Sequence, residues 1–195
     1  MRKNRSNNLV SKRYIMLKKG FTTIALFITL VSFGQTYTPT DAGSKVHFVI
    51  KNFGINTGGS FDGLTGSITF DPANLSSASF NVSVDSKSVD TDIESRDNHL
   101  RKAEYFDVEK YPKISFRSTK ITTTNKDGYL YMVGVITIKN VSKEISFPFK
   151  QTSKDGGILF EGDFKLNRRD FGVGGNSFSL SDEVSIELSI FAKKN

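Results

Sequence analysis

Apolar and polar residues alternate along most of the chain after residue 45. In residues 78–85, Phe80, Val82 and Val84 share one face, and mostly polar residues occupy the other. A period of two is typical of a β-strand with one buried face. The pattern predicts eight strands, at residues 46–51, 60–70, 78–85, 113–123, 129–139, 143–151, 158–166 and 183–192.

Short turn signals separate the predicted strands. Residues 125–128 and 154–157 are typical of hairpin turns, and residues 53–59 predict a glycine-rich turn or bulge. Gly63 and Gly66 break the alternation, as at a bend in a closed barrel. Because no strand alternates with a long helix, we expect an all-β antiparallel fold, either a sandwich or an up-and-down barrel. An eight-stranded barrel either fills with side chains or holds one ligand.

One stretch, residues 96–116, interrupts the strands with a high density of charged and aromatic residues. It is predicted to begin with one short helix after the third strand. Thr91 and Glu94 have the spacing of a capping box. Ile93 and Leu100 share a helical face, which is expected to pack on the barrel.

The same helical spacing places Asp97 four residues after Ile93, on the packed face. A carboxylate drawn toward the interior needs hydrogen-bond donors or a charged partner. Arg101 lies four residues further on and Arg96 is adjacent, so one of these two arginines is expected to pair with Asp97.

Residues 1–34 have the layout of a signal peptide. A pair of lysines precedes the apolar run 21–31, and the small residue Gly34 marks the expected cleavage point. The run is shorter than the about 20 apolar residues of a membrane span, which favours a cleaved signal peptide over the alternative of an uncleaved anchor. We expect no stable membrane insertion after its removal. If translation begins at Met16, residues 1–15 are an upstream extension.

Removing this segment changes the meaning of the net charge, which is +7 for the whole chain. Residues 1–34 contain seven of the 27 Lys and Arg residues and none of the 20 Asp and Glu residues. Residues 35–195, the predicted single domain, are therefore neutral overall. The basic character belongs to the N-terminal segment, so it is no evidence for a nucleic acid partner.

The apolar residues are unusual in kind, with 17 Phe, no Trp and no Cys. The absence of Cys excludes disulfides, cysteine nucleophiles and thiolate metal sites. Phenylalanine in excess indicates an interior in which few aromatic rings need a hydrogen-bond partner.

Four motifs stand in order along the chain: Val46-x-Phe48-x-Ile50-Lys51 with Gly59-x-Phe61-x-Gly63-x2-Gly66-x-Ile68, then Phe70-Asp71-Pro72, then Thr91-x4-Arg96-Asp97-x-His99-Leu100-Arg101 with Phe106-Asp107-Val108-x2-Tyr111-Pro112-x-Ile114-x-Phe116, and last Asn167-Arg168-Arg169-Asp170-Phe171-Gly172-Val173-Gly174. Together they resemble the YceI-like family of polyisoprenoid-binding, lipocalin-like exported proteins. The resemblance spans Tyr37 to Ile190. One departure is Lys102-Ala103-Glu104-Tyr105, which replaces a commoner Ser-x-Asp-Phe while keeping an acid and an aromatic residue.

This resemblance implies an eight-stranded antiparallel lipocalin-like barrel with a helix beside it. It also implies an apolar tunnel that holds a polyisoprenoid lipid of the quinone or prenyl phosphate type, and a periplasmic or secreted location. The expected function is non-enzymatic binding of that lipid for storage, shielding or transport in the cell envelope. No other cofactor is expected, and a homodimer is left open.

Tunnel-lining candidates are apolar residues on the more apolar face of their strands. They are Phe48, Ile50, Phe61, Phe80, Val82, Phe116 and Phe164. A second set of charged residues has two readings, either contact with a ligand headgroup or a structural network that ties the helix to the barrel. These residues are Arg96, Asp97, His99, Arg101, Arg168 and Asp170, and Asp170 is expected to pair with an arginine of the helix.

Two other functions stay open as alternatives. One is an enzyme that acts on a small apolar substrate in the same cavity, with His99 and Asp97 as an acid–base pair but without an evident nucleophile. The chain has two histidines, fewer than the three protein ligands usual in a catalytic zinc site. The other alternative is a protein-binding module that acts in envelope stress.

Overall fold

The structure is a computed structural model that describes residues 34–195. Apart from Gly34, the predicted signal peptide at residues 1–34 lies outside the described residues. Within them, no helix has the length and apolar character needed to cross a membrane.

Residues 34–195 form ten strands and one α-helix. The strands are β1 (Gln35–Pro39), β2 (Lys45–Asn52), β3 (Ile55–Phe61), β4 (Thr65–Phe70), β5 (Ser79–Asp85), β6 (Lys113–Thr123), β7 (Leu130–Ile138), β8 (Val141–Lys154), β9 (Gly157–Asn167) and β10 (Leu180–Lys194). The helix α1 spans Glu94–Leu100, and short 3₁₀ turns lie at Leu75–Ser77, Ser86–Ser88 and Arg168–Phe171.

Eight of these strands close into an antiparallel barrel, as predicted. The ring runs β1-β4-β5-β6-β7-β8-β9-β10 and returns to β1 through an additional β1–β10 pairing. That closing pairing is short, because Tyr37, Thr38 and Pro39 face Lys194, Lys193 and Ala192. The predicted helix follows the strand 79–85, also as expected.

The remaining two strands, β2 and β3, form a hairpin attached to the other part of β10. Residues Leu180–Ser189 of β10 pair with β2, and β2 pairs with β3. On its far side, β3 makes one isolated bridge, Ser60 to Asp90, instead of a ladder to β5. The barrel wall is therefore open between β3 and β5 at this end, and the segment after β5 that contains α1 lies in the gap.

Two strands differ from the sequence expectation. β1 was not predicted, and β3 (Ile55–Phe61) includes residues 55–59, where a turn or bulge was expected. The single strand predicted at residues 60–70 is divided between the end of β3 and β4. The glycines that suggested a turn serve a close contact instead. A Cβ at Gly59 would lie 2.5 Å from the Phe48 ring and 2.7 Å from the Thr91 methyl group, so only glycine allows these groups to approach.

The end of the barrel at which the ring closes is filled by side chains. Phe80 and Phe160 have ring centres 5.0 Å apart in an edge-to-face arrangement, and Phe70 packs on Phe160 at 5.3 Å in the same way. Ile68, Phe70 and Ala192 are at most 1% exposed. Edge-to-face contacts stabilise such clusters beyond the burial of apolar area.

We expect Phe80→Ala to lower the free energy of unfolding by about 3–5 kcal/mol, because a large ring in a packed core leaves a cavity when it is removed. Urea denaturation followed by circular dichroism measures the change. Phe178→Ala is the matched control, since Phe178 is fully exposed and its change should stay within about 0.5 kcal/mol. Equal unfolding midpoints for the two variants would contradict this description of the core.

Candidate ligand-binding cavity

The half of the barrel that contains the β2–β3 hairpin encloses a cavity of about 420 Å³. This size lies within the about 300–1,000 Å³ typical of small-molecule sites. Its walls are apolar side chains from six strands of the barrel and from the hairpin. Among them are Val46, Phe48, Ile50, Phe61, Val82, Val84, Ile114, Phe116, Ile136, Ile138, Phe147, Phe164, Leu166, Val184, Ile186, Leu188 and Ile190.

Strand alternation explains how so many apolar side chains reach one space. Along β10, Val184, Ile186, Leu188 and Ile190 line the cavity, whereas exposed Glu187 lies between them on the opposite face. Side chains two residues apart on a strand share a face. The same rule, applied around the ring, gives the cavity a nearly continuous hydrocarbon wall.

Six of the seven predicted tunnel residues line this cavity, namely Phe48, Ile50, Phe61, Val82, Phe116 and Phe164. The exception is Phe80, which is 6% exposed and lies in the packed core at the other end of the barrel. Phe80 and Val82 share a face of β5, so alternation placed them together. Their depth along the barrel axis separates them, and that depth depends on where the ring closes.

Sequence reasoning missed two parts of the wall. Leu100, Tyr105 and Phe106 line the cavity from α1 and the turns that follow it. The ring of Phe106 lies edge-on to that of Phe61, with centres 5.2 Å apart. The clustering of aromatic residues in this segment was the available signal. The apolar face of β10 was visible in the sequence but gave no reason to prefer it over the other strands.

The polar residues around the cavity lie mainly on the elements at its hairpin end. They belong to the β2–β3 hairpin, to α1 and the loop before it, and to the loop before β10. These residues are Asn52, Thr57, Thr91, Arg96, His99, Ser177 and Ser179, and the other polar lining residues are Ser83 on β5, Ser115 on β6 and Arg168 after β9. A ligand in this cavity would thus meet hydrocarbon along most of its length and hydrogen-bonding groups at one end.

Asp97 is buried, at 5% exposure, and is held by Thr91. The Thr91 backbone N–H donates to Asp97 Oδ1 at 2.9 Å, and the Thr91 hydroxyl donates to the same oxygen. Arg96 donates from Nε to Thr91 Oγ1 at 2.7 Å and from Nη2 to the Thr91 carbonyl at 2.6 Å. Thr91 thus links the buried carboxylate of Asp97 to the guanidinium of Arg96. This network lies in the segment that fills the gap beside β3.

This network corrects two expectations about the helix. Thr91 does not cap it, because the helix begins at Glu94 with Ile93 as its N-cap, and the Thr91 hydroxyl is engaged by Asp97. The expected pairing of Asp97 with Arg96 or Arg101 is wrong, since Arg96 donates to Thr91. Arg101 has other partners. Its Nε and Nη2 donate to the carbonyls of Lys87 and Val89, which fastens the helix to the residues directly after β5.

His99 is exposed and lies against Tyr105, with ring centres 4.9 Å apart. It makes no hydrogen bond to Asp97, whose Oδ1 accepts from Thr91. The acid–base pair left open by the sequence is therefore not formed in this structure.

Arg168 is 4% exposed, and protein acceptors surround its guanidinium. Its Nε donates to the Ser181 carbonyl and Nη1 to the carbonyls of Val173 and Gly175, while Nη2 lies 3.0 Å from Asp182 Oδ1. These bonds tie the turn after β9 to the start of β10. They leave Arg168 few donors for a ligand, although its side chain lines the cavity.

The acid beside this arginine is Asp182, which the sequence analysis did not select. Asp182 also lies 3.3 Å from Nη1 of Arg169. Asp170, expected to pair with an arginine of the helix, is exposed, and its carboxylate makes no hydrogen bond or ion pair with any residue of 34–195. The expected pairing is wrong because the 3₁₀ turn at Arg168–Phe171 buries Arg168 and Phe171 and leaves Asp170 at the surface.

Two ionisable groups outside the cavity lining have shifted pKa values. The ammonium groups of Lys150 and Lys126, 4.6 and 3.9 Å from the ring centre of Tyr129, lower the pKa of its phenol. Hydrogen bonding to Tyr111 raises the pKa of Lys110. The described residues also contain no cluster of three or more His, Asp or Glu side chains that could hold a metal ion.

Comparison with known proteins identifies the sequence pattern. A sequence model of the YceI-like domain matches residues 37–192, which confirms the resemblance seen in the four motifs. A UPF0312 protein of Yersinia enterocolitica is 34% identical over 152 residues, which cover 74% of this chain and 78% of that protein.

Solved structures share the fold. Burkholderia cenocepacia BcnA has a TM-score of 0.73 at 26% identity, covering 78% of this chain and 98% of that one. The Campylobacter jejuni YceI protein has a TM-score of 0.62 at 27% identity, covering 70% and 84% of the two chains. A polyisoprenoid binding domain from Saccharophagus degradans has a TM-score of 0.66 at 15% identity, covering 83% and 99%, and contributes a likeness of fold alone.

We expect Asp97→Asn to lower the free energy of unfolding by about 1–3 kcal/mol, because the neutral amide weakens two charge-assisted hydrogen bonds from Thr91 at a buried site. Chemical denaturation measures the loss. Asp170→Asn is the matched control and should change stability by at most about 0.5 kcal/mol, since that carboxylate is exposed. A larger effect from the control would overturn the assignment of these two acids.

Proposed function

The chain belongs to the YceI-like family, and on that premise we propose that it binds the tail of a polyisoprenoid lipid in its barrel cavity, without covalent chemistry. The observation that carries the proposal is the composition of the cavity wall, which is hydrocarbon over most of its length and polar at one end. A long apolar chain with one polar head matches that distribution.

The energetics of such a complex favour an apolar ligand. Burial gains about 25 cal/mol per Å² of apolar surface removed from water. The rings of Phe48, Phe61, Phe116, Phe147 and Phe164 contribute much of the wall. Phe147 and Phe164 stack with their ring centres 4.9 Å apart, which presents a rigid surface to a ligand. A preformed wall reduces the entropy lost when the ligand binds.

The headgroup is proposed to lie beside Arg96 and His99 at the polar end. The Nε and Nη2 atoms of Arg96 donate hydrogen bonds to Thr91, whereas its Nη1 donates to no acceptor among residues 34–195. Arg168 also lines the cavity, but all three of its nitrogens are engaged. An oxygen acceptor such as a quinone carbonyl or a prenyl phosphate suits a guanidinium with donors to spare.

Storage, shielding or transport of the lipid in the cell envelope is the proposed role, in the periplasm or outside the cell. The predicted signal peptide at residues 1–34 supports this location. The Saccharophagus degradans domain is a polyisoprenoid binding protein of the same architecture. At 15% identity it supports the fold alone, so the proposal rests on the cavity of this chain.

Two substitutions test the cavity in different ways. Phe116→Asp places a carboxylate in the hydrocarbon wall and should abolish lipid uptake, because an unpaired charge there is costly. Val82→Phe fills space without adding charge and should lower uptake at least about tenfold by displacing the tail. Native mass spectrometry of the purified protein, after incubation with a geranylgeranyl lipid, measures the bound fraction.

The control is Tyr131→Asp, which adds the same charge on the exposed face of β7, outside the cavity. It should bind lipid like the unmodified protein. Full uptake by a folded Val82→Phe variant would count against binding in the cavity. Turnover of a small apolar substrate that is lost in His99→Ala, with lipid binding intact, would favour an enzyme instead.

A further inference from the structure

The most exposed large hydrophobic residues gather where the cavity has its polar end. Within residues 34–195, Phe178 is fully exposed, and Phe53 and Ile55 are 73% and 71% exposed. The next in order, Ile93, is 49% exposed and lies directly before α1. Scattered single apolar residues are ordinary on a surface, whereas a group beside one opening marks an interaction site.

Backbone contacts fix these side chains next to the cavity. Phe53 follows Asn52, and Phe178 lies between Ser177 and Ser179, all three of which line the cavity. The Phe53 N–H donates to the Ser179 carbonyl at 2.8 Å, so the hairpin turn and the loop before β10 are joined at their tips. We call Phe53, Ile55 and Phe178 the mouth tip.

Ile55 extends the inner wall outward. On β3 it shares a face with Thr57 and Phe61, which both line the cavity. An apolar surface therefore continues from inside the barrel, past the polar residues of the opening, to a side chain in solvent.

The backbone at Phe53 is a second, independent observation. Phe53 and Gly54 have φ values of +49° and +77°, as in a two-residue turn of type I′. The equivalent turns Lys139-Asn140 and Asp155-Gly156 carry a polar residue at the first position. Asn and Asp suit the first position of this turn, whereas a bulky aromatic residue with positive φ is strained. Strain of this kind often persists where function requires the side chain.

We propose that the mouth tip docks on a lipid bilayer and inserts Phe53, Ile55 and Phe178 into its interface. The lipid then passes between bilayer and cavity without exposing its tail to water. This inference rests on the proposed function, because a polyisoprenoid ligand resides in a membrane. Apolar side chains of a surface-bound protein reach about 5–10 Å into the boundary of headgroups and acyl chains.

Charge and area favour a bilayer over a protein partner. Residues 35–195 carry 20 basic and 20 acidic residues, so attraction to an anionic surface is not the expected driving force. The mouth tip consists of three side chains on two turns. A stable protein interface buries about 800 Å² on each partner, which needs a broader surface than these tips present. A fluid bilayer, by contrast, can take up three apolar side chains on two turns without a broad matching surface.

Vesicle flotation tests the proposal directly. The probe is a vesicle of phosphatidylcholine and phosphatidylethanolamine, without anionic lipid. The unmodified protein should float with the vesicles to the same extent at low and high salt. The double variant Phe53→Asn, Phe178→Ser should partition at least about tenfold less, because it loses two aromatic rings that become buried on docking. Asn suits the turn at position 53, so this variant is expected to fold.

Tyr131→Ser is the control, since it removes an exposed aromatic residue from the half of the barrel away from the mouth tip. It should float normally. Docking is overturned if the unmodified protein does not float, if the double variant floats equally well, if the control is lost to the same degree, or if flotation requires anionic lipid and disappears in salt.

A second measurement separates this inference from the proposed function. Binding of a soluble fluorescent geranylgeranyl probe is titrated in solution without vesicles. The double variant should keep the affinity of the unmodified protein, while transfer of the same probe from vesicles slows at least about tenfold. Probe binding without flotation overturns docking and leaves the proposed function in place. Flotation that depends on the mouth tip, without probe binding, supports docking and overturns the proposed function.

Discussion

The architecture depends on how one edge of β10 is shared between two partners. Its C-terminal residues pair with β1 and close the ring, whereas residues 180–189 pair with β2. The first pairing draws the strands around a packed core of phenylalanines. The second adds a hairpin whose outer strand has no ladder to β5. A barrel closed at one end and widened at the other follows from this division.

The segment after β5 makes the widened end stable. An open gap would expose unpaired strand edges and the apolar faces of β3 and β5 to water. The segment fills it with aromatic side chains such as Phe106, and inside the segment Arg101 holds α1 against the carbonyls of residues 87 and 89. Thr91 satisfies the buried carboxylate of Asp97 and also engages Arg96. Structural and candidate binding roles therefore meet in one short stretch, where Arg96 keeps donors to spare.

Cavity and mouth tip combine into one physical scheme. The cavity wall is mostly hydrocarbon, polar groups surround the end near Arg96, and exposed phenylalanines lie beside that opening. In the proposed scheme, each zone matches a layer that a membrane lipid crosses on leaving a bilayer. Arg168 has a different part, because its donors connect the turn after β9 to β10 and shape the wall instead of meeting a ligand.

Local pattern determined much of this protein. Alternation identified eight of the ten strands and the inward faces that carry Phe48, Val82 and Phe164, because side-chain direction along a strand depends only on neighbouring residues. Motif order also determined the family. Tertiary structure alone decided that Phe80 lies in the core while Val82 lines the cavity, that Thr91 donates hydrogen bonds to Asp97, and that Asp182 forms an ion pair with Arg168. The first outcome depends on where the ring closes, and the other two depend on how loops fold over 6 and 14 residues, which no strand or helix period encodes.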